Sequence, residues 1–371
     1  MMANGVGIRI AKTSGEPDGA ALPATVARTI SDLIGLGLVE ATEKAALEKV
    51  AARYAVAVTP DMAHLIDSTD PADPIGLQFL PSTEELLTTS DERADPIGDS
   101  AHAPVKGIVH RYPDRVLLKP LHACPVYCRF CFRREQVGPG GEVLDDGELA
   151  AAIDYIRSHP AIWEVILTGG DPLILSPRRL GRILDALEAI PHVQTLRIHS
   201  RVPVVEPARI TDELIGVLSR KTALWIAIHA NHPRELTDAA KQACARLTQA
   251  GASLLGQTVL LRGVNDDASV LEALFRGMIA MRIKPYYLHH PDLAPGTARF
   301  RLSIEEGQAI MQILRGSLSG LAQPTYVLDI PGGFGKVPIG PNSLEPDGVR
   351  DSAGRLHAYP RALIAGNFQK A

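Results

Sequence analysis

Cysteine is scarce in this chain: Cys124, Cys128, Cys131 and Cys244 are all there is in 371 residues. Three of the four lie within eight positions. Such bunching cannot brace a chain of this length with disulfides. It reads as metal ligation in a reducing compartment, and the cytoplasm is the expected location. No run of about 18 apolar residues occurs, so no segment is fit to cross a bilayer as a helix. Met1 to Ala20 is polar and glycine-rich and lacks the apolar core of a secretory signal. An excess of one charge is also missing, with a net charge of −4. Nothing draws the chain broadly to nucleic acid or membrane, and neither is expected as a partner.

The rest is ordinary globular material, 46% hydrophobic and 22% charged. Residues 1–23 read as a flexible tail, with Gly and Pro among polar residues. Residues 24–106 read as a helical N-terminal region: apolar spacing is helical from Val26 to Tyr54, then Pro, Asp, Ser and Thr dominate. From about residue 107 short apolar runs alternate with helical stretches. The expected strands are Val116–Lys119, Glu164–Thr168, Thr195–His199, Leu224–His229, Leu254–Leu261 and Ile283–His289. The expected helices are Asp146–Ser158, Pro177–Ile190, Thr211–Ser219, Pro233–Ala250 and Ala268–Met281. Such alternation implies an α/β fold with parallel strands and helices outside. Polar residues and glycines recur just past the strand ends, at Gly169–Asp171, Ser200–Arg201, His229–Asn231, Arg262–Gly263 and His289–Asp292. Barrel enzymes place their chemistry there, so residues 107–300 are expected to form a partial (β/α)6 TIM-like barrel. Residues 301–371 make a C-terminal segment.

The segment Cys124-Pro-Val-Tyr-Cys128-Arg-Phe-Cys131 follows the first expected strand. Three thiolates on one loop can hold three irons of a [4Fe–4S] cluster and leave the fourth open to a small ligand. A zinc knuckle with His122 as fourth ligand, or an electron-transfer cluster, is the alternative; zinc wants a closed site and a ferredoxin a fourth cysteine. Cys244 sits in a helical stretch and reads as a small core residue.

This spacing, with Phe130 before the third cysteine, resembles the radical S-adenosylmethionine (SAM) superfamily. The resemblance implies a partial barrel of the radical SAM type, SAM chelated to the open iron, and its reductive cleavage to a 5′-deoxyadenosyl radical. Leu167-Thr-Gly-Gly-Asp-Pro-Leu173 resembles the superfamily's SAM-binding motif, which implies SAM contacts at Gly169, Gly170 and Asp171. A closer resemblance, over about residues 75–345, is to the lysine 2,3-aminomutase family, including the branch that makes β-lysine for elongation factor P. It rests on His110-Arg-Tyr-Pro-Asp-Arg115, the cysteines, Arg201-Val-Pro-Val-Val205, His229-Ala-Asn-His-Pro233, Gln257-Thr-Val-Leu-Leu-Arg-Gly-Val-Asn-Asp266 and Pro331-Gly-Gly-Phe-Gly-Lys-Val-Pro338.

That likeness implies pyridoxal phosphate (PLP) as a further cofactor, with Lys336 as its catalytic, covalently binding lysine. It implies Arg111 and Arg115 on the PLP phosphate, where a rigid guanidinium fork suits phosphate oxygens. His229 and Gln257 join the SAM contacts. Arg133 faces the substrate carboxylate, and Asp292 and Asp329 face a side-chain ammonium. Two carboxylates around one ammonium select lysine, because unpaired they would reject short apolar or acidic substrates. The bland alternatives are a solvated lysine in a glycine turn, surface ion pairs for the arginines, and turn or cap roles for the aspartates. The implied activity is migration of the α-amino group of L-lysine to the β carbon. Rival readings are an aminomutase for arginine, ornithine or glutamate, or an Fe–S and SAM-binding sensor without turnover. The family also implies an electron donor such as flavodoxin or ferredoxin, and homo-oligomers.

The chain departs from the family pattern in two places. Asp267 stands near the point where the best-known members carry a zinc-binding cysteine, and none follows Cys244, so no structural zinc is expected. Gly256 precedes Gln257 where asparagine is expected.

Anaerobically reconstituted protein should bind about four irons per chain. Changing Cys124, Cys128 or Cys131 to Ala should abolish SAM cleavage, while Cys244→Ala should leave both iron content and cleavage intact.

Overall fold

The structure, a computed structural model, describes residues 25–138, 140–346 and 348–359. The expected tail over residues 1–23 lies outside them. Nine strands form one sheet in chain order: β1 (Ile108–Tyr112), β2 (Arg115–Leu121), β3 (Glu164–Gly169), β4 (Thr195–Ser200), β5 (Ala223–His229), β6 (Ser253–Val259), β7 (Ile283–His289), β8 (Thr325–Ile330) and β9 (Gly335–Pro338). Strands β2 to β8 are parallel, each to the next. Strands β1 and β9 add antiparallel edges. The sheet curls into a nearly closed barrel around one cavity lined by residues from β1 through β9.

The six expected strands are β2 to β7, each within two residues at either end. They were readable because parallel strands covered by helices are buried on both faces and read as apolar runs; in β4 only His199 is less than fully buried. Strands β1, β8 and β9 were not expected. The first carries His and two polar neighbours, the second mixes Thr, Tyr and Asp, and the third is a four-residue Gly-Lys-Val-Pro stretch.

The helices follow local chemistry. Ser176 caps Pro177–Glu188 by accepting from the Arg179 N–H, Pro177 opens the helix, and Leu180, Ile183, Leu184 and Leu187 form one buried face. The expected helix Pro233–Ala250 is two elements. A 3-10 turn at Pro233–Glu235 precedes the helix Asp238–Gln249, which Thr237 caps. The break follows from Glu235, whose carboxylate turns inward to the Asn231 and His232 N–H groups. The expected helical stretch Val26–Tyr54 is likewise split into Ile30–Gly35 and Lys44–Ala51, because Gly37 takes a φ of 67° that a helix cannot continue through. The core fills the space between the outer face of the sheet and these helices, with Val165, Leu167, Leu184, Ile198, Ile226 and Leu247 among its members. Cys244 is one of them, fully buried, its thiol pushed up to about 12 by burial alone.

The N-terminal region grips the cysteine loop. Glu85 is fully buried and accepts from Arg129 Nε at 2.9 and 3.0 Å, and from Arg134. Arg129 also donates to the Ala55 carbonyl at 2.7 Å, and Arg134 to the Gly296 carbonyl at 3.1 Å. The backbone N–H of Tyr127 reaches Ala57 O, and that of Arg129 reaches Gln78 O, both at 2.9 Å. Removing one partner from a buried ion cluster strands the remaining charges. Glu85→Gln should therefore cost about 3–5 kcal/mol in urea unfolding, with iron loading impaired in parallel; a loss under about 1 kcal/mol would mean that the loop is held by other contacts.

Candidate active site

Alternate residues of each parallel strand face the barrel interior, as the two-residue period requires. Thr168 on β3, His199 on β4, His229 on β5, Gln257 on β6, His289 on β7 and Asp329 on β8 all line one cavity of about 1080 Å³. Cys124, Cys128, Cys131, Arg111, Arg115, Arg133, Gly170, Asp171, Asp292 and Lys336 line it too. Of the site residues named from sequence, only Gly169 falls outside that lining. Arg262 is elsewhere: it pairs with Glu306 at 2.9 Å on the surface.

The three clustered cysteines sit on the loop after β2. Burial, followed by the Asp171 charge and the other thiols, pushes Cys124 well up, and burial followed by the Cys128 thiol pushes Cys131 up to about 11. The thiols thus want a compensating positive charge, which iron supplies. No three His, Cys, Asp or Glu among the described residues are placed to hold a single ion. Three thiols on one loop suit three corners of a cluster and leave the fourth iron to a small ligand. Gly170 earns its place by contact with this loop: a Cβ there would meet the Ala123 carbonyl oxygen at 2.1 Å. Its N–H donates to Leu121 O at 2.7 Å, and that of Asp171 to Ala123 O at 2.9 Å. The Asp171 side chain accepts from the N–H groups of Arg201 at 2.7 Å, Val202 at 3.1 Å and Leu173 at 3.1 Å. It ties the loops after β3 and β4 together.

Across the cavity, Lys336 and Asp329 are direct partners in the β8–β9 register, and their side chains pair. The His289 Nδ1 lies 3.4 Å from the Lys336 Nζ, and the Tyr112 hydroxyl accepts from the Lys336 N–H at 2.8 Å. Lys336 therefore stands in a strand, not in a free glycine turn. Among the described residues Asp292 has no such partner within bonding range; burial first, and the Asp329 charge second, push it up to about 7. Arg115 donates to Asp114 at 2.7 Å and stacks on Tyr112 at 3.8 Å, at the start of β2.

Sequence reasoning missed Asp99. It is 3% exposed and gathers three cations: Arg133, whose Nε and Nη2 both lie 2.9 Å away, Arg111 at 3.5 Å and Lys119 at 3.7 Å. These cations outweigh its burial and hold its carboxyl below the usual range. Arg111 is further fixed by the Ile97 carbonyl at 2.5 Å. Asp99 lies in a Pro- and Asp-rich stretch with no periodicity, so nothing marked it as buried. The imidazoles of His199, His229 and His289 were likewise not read as a set. Burial, then neighbouring cations, drives all three down, His229 to about 3, so they are neutral. The two departures from the family pattern also have local causes. A Cβ on Gly256 would meet Met278 Sδ at 2.6 Å, and Asp267 caps the helix Ala268–Ala280 through the Ser269 N–H at 2.7 Å.

Residues 118–274 match the family model of the Radical SAM superfamily, and residues 311–351 match that of Lysine-2,3-aminomutase. An L-lysine 2,3-aminomutase of Acetoanaerobium sticklandii is 42% identical over 77% of this chain and 69% of its own length. The L-lysine 2,3-aminomutase of Escherichia coli is 36% identical over 85% of this chain and 92% of its own. A glutamate 2,3-aminomutase of Clostridioides difficile is 38% identical over 83% of this chain and 72% of its own. The chain belongs to the lysine 2,3-aminomutase family. It is an aminomutase, hence an isomerase, and its cysteine loop is that of a radical SAM enzyme with a [4Fe–4S] cluster and SAM. Among the described residues no helix is long and apolar enough to cross a membrane.

The elevated Asp292 has a consequence for this aminomutase without ligands. The folded chain keeps a proton on Asp292 where the unfolded chain has lost it. The resulting penalty is absent below about pH 4, grows as pH rises and is complete above about pH 7. Asp292→Asn should therefore stabilise the ligand-free protein by about 1–3 kcal/mol at pH 8 and hardly at all at pH 4. Calorimetry at the two pH values checks this, and an equal gain at both would refute it.

Proposed function

We propose that this protein is a PLP-dependent L-lysine 2,3-aminomutase, converting L-lysine to β-lysine. The observation that carries the reading is the pair Asp292 and Asp329 in the same cavity as the cysteine loop, with an ammonium already resting on one of them. A glutamate side chain would instead need a cation or amide there.

When bound, the cluster and SAM would supply a 5′-deoxyadenosyl radical, and PLP a conjugated system that spreads the unpaired electron while the nitrogen moves between carbons. The protein's share is placement. Lys336 holds PLP covalently, and Arg111 and Arg115 receive its phosphate. Gly169, Gly170, Asp171, His229 and Gln257 bound the SAM side, Gly169 and Asp171 chiefly by shaping the loop. Arg133, steadied by Asp99, takes the substrate carboxylate. Asp292 and Asp329 take the ε-ammonium and so orient the β carbon toward the SAM side. The neutral histidines add no charge of their own to the space the ammonium must enter. Barrel walls exclude water, so position supplies most of the rate. Of the segments expected from sequence, 24–106 then braces the cysteine loop, 107–300 is the radical barrel and the described part of 301–371 is the PLP-lysine strap. A one-electron donor such as flavodoxin or ferredoxin completes the system in the cytoplasm.

Anaerobic turnover of lysine, arginine, ornithine and glutamate by the reconstituted enzyme tests the assignment. Lysine should be preferred, and Asp292→Asn or Asp329→Asn should cost about 2–5 kcal/mol in kcat/KM for lysine. PLP and SAM binding should survive in Asp292→Asn. Equal rates for lysine and glutamate, or variants that handle lysine unchanged, would sink the lysine assignment and leave the radical SAM chemistry standing.

A further inference from the structure

Arg201 is a charge buried against the cluster loop. It is 5% exposed, yet its Nη1 donates to Cys128 Sγ at 2.9 Å. Its Nη2 donates to Gln78 Oε1 at 2.6 Å and to Glu235 Oε2 at 2.8 Å. The guanidinium lies over Phe79, 4.5 Å from the ring centre, and 5.5 Å from that of Phe130. Its backbone N–H is fixed by Asp171 at 2.7 Å. Behind it, Glu235 is fully buried, and its second oxygen accepts from the N–H groups of Asn231 and His232 at 2.9 Å and from Gln78 Nε2 at 3.1 Å. Every contact but one is a brace that aims the guanidinium; the remaining one is a ligand sulfur.

Such a cation cannot be neutralised, since arginine does not lose its proton in proteins. The cluster must accept one electron before SAM can be cleaved. That step adds one negative charge to a buried centre whose electron density extends onto its sulfur ligands, with no bond made or broken and no proton moved. A charge-assisted hydrogen bond to a ligand sulfur in a low-dielectric site stabilises the more negative state. Glu235 opposes this, but from the far side of the guanidinium, so the nearer cation prevails. We propose that Arg201 is a positioning residue that raises the reduction potential of the cluster through Cys128, with Glu235 aiming it and tempering its charge. The effect sets how readily a low-potential one-electron donor can load the cluster. It depends on the cluster alone and is independent of which amino acid the enzyme isomerises.

The test is an EPR-monitored redox titration of anaerobically reconstituted full-length protein, with and without SAM, for wild type, Arg201→Gln, Arg201→Lys and Glu235→Gln. Iron content and circular dichroism report folding. At the wild-type midpoint, Arg201→Gln should lower the ratio of reduced to oxidised cluster by about tenfold, equal to about 59 mV for one electron. Arg201→Lys should lie between, and Glu235→Gln should move the midpoint the opposite way. A merely structural brace would leave the midpoint of every iron-loaded variant at the wild-type value, which overturns the proposal. Shifts of the same sign for Arg201→Lys and Glu235→Gln overturn it too. So does a shift seen only with SAM present, which would assign Arg201 to SAM. If Arg201→Gln does not load iron, Arg201→Lys and Glu235→Gln decide between these outcomes.

Discussion

A buried carboxylate with two guanidiniums holds the chemistry of this protein in place. Glu85 comes from the 3-10 turn Thr83–Leu86 of the N-terminal region, while Arg129 and Arg134 flank the last cluster cysteine on either side. A loop bearing three thiols has little apolar surface of its own to anchor it. Here the anchor is electrostatic, closed off from water and completed by the carbonyls of Ala55 and Gly296. In such surroundings a charge with no partner is costly, so the three side chains have one acceptable arrangement. The cysteines inherit that definition. This is what the N-terminal region contributes: it adds no strand to the barrel, yet it sets the position of the loop on which SAM cleavage depends.

The cavity beyond that loop is arranged by charge. Near Arg111, Arg133 and Lys119 cations dominate, with only Asp99 among them, which suits anionic groups on cofactor and substrate. Near β8 and β9 two carboxylates face one lysine, which suits an ammonium. The two regions meet at Arg111, whose Nη1 lies 3.9 Å from Asp329 Oδ1, and the neutral imidazoles of His199, His229 and His289 line the same cavity. An amino acid with an extended cationic side chain matches this polarity end to end, and the opposite polarity would meet like charge at both ends.

The strands β2 to β7 were legible because each keeps a buried apolar set, such as Leu196 and Ile198 in β4, between turn residues and helical stretches. Strands β1, β8 and β9 were not, since β1 and β9 are short antiparallel edges and β8 mixes Thr, Tyr and Asp with its apolar residues. The cysteine spacing announced its chemistry directly. Lys336 did not; without the family likeness it is one lysine among glycines, and only the β8–β9 register sets it opposite Asp329. Glu85, Asp99 and Glu235 were invisible for a shared reason. Each is an acid whose local sequence reads as solvated, loop for Glu85 and Asp99 and a helix start for Glu235, and each is buried where an arginine distant in sequence meets it.

The pairing of Lys336 with Asp329 bears on the order in which partners engage. Two carboxylates in a dry pocket repel one another and need a cation. The protein meets this with a lysine of its own. Under the proposed function, that side chain is a resident look-alike of the substrate, covering the selector until the cofactor engages it. Arrival of cofactor would then uncover the carboxylate, and the order of loading would be written into the ion pair: the site becomes hungry for lysine only after its own lysine has been given something else to do.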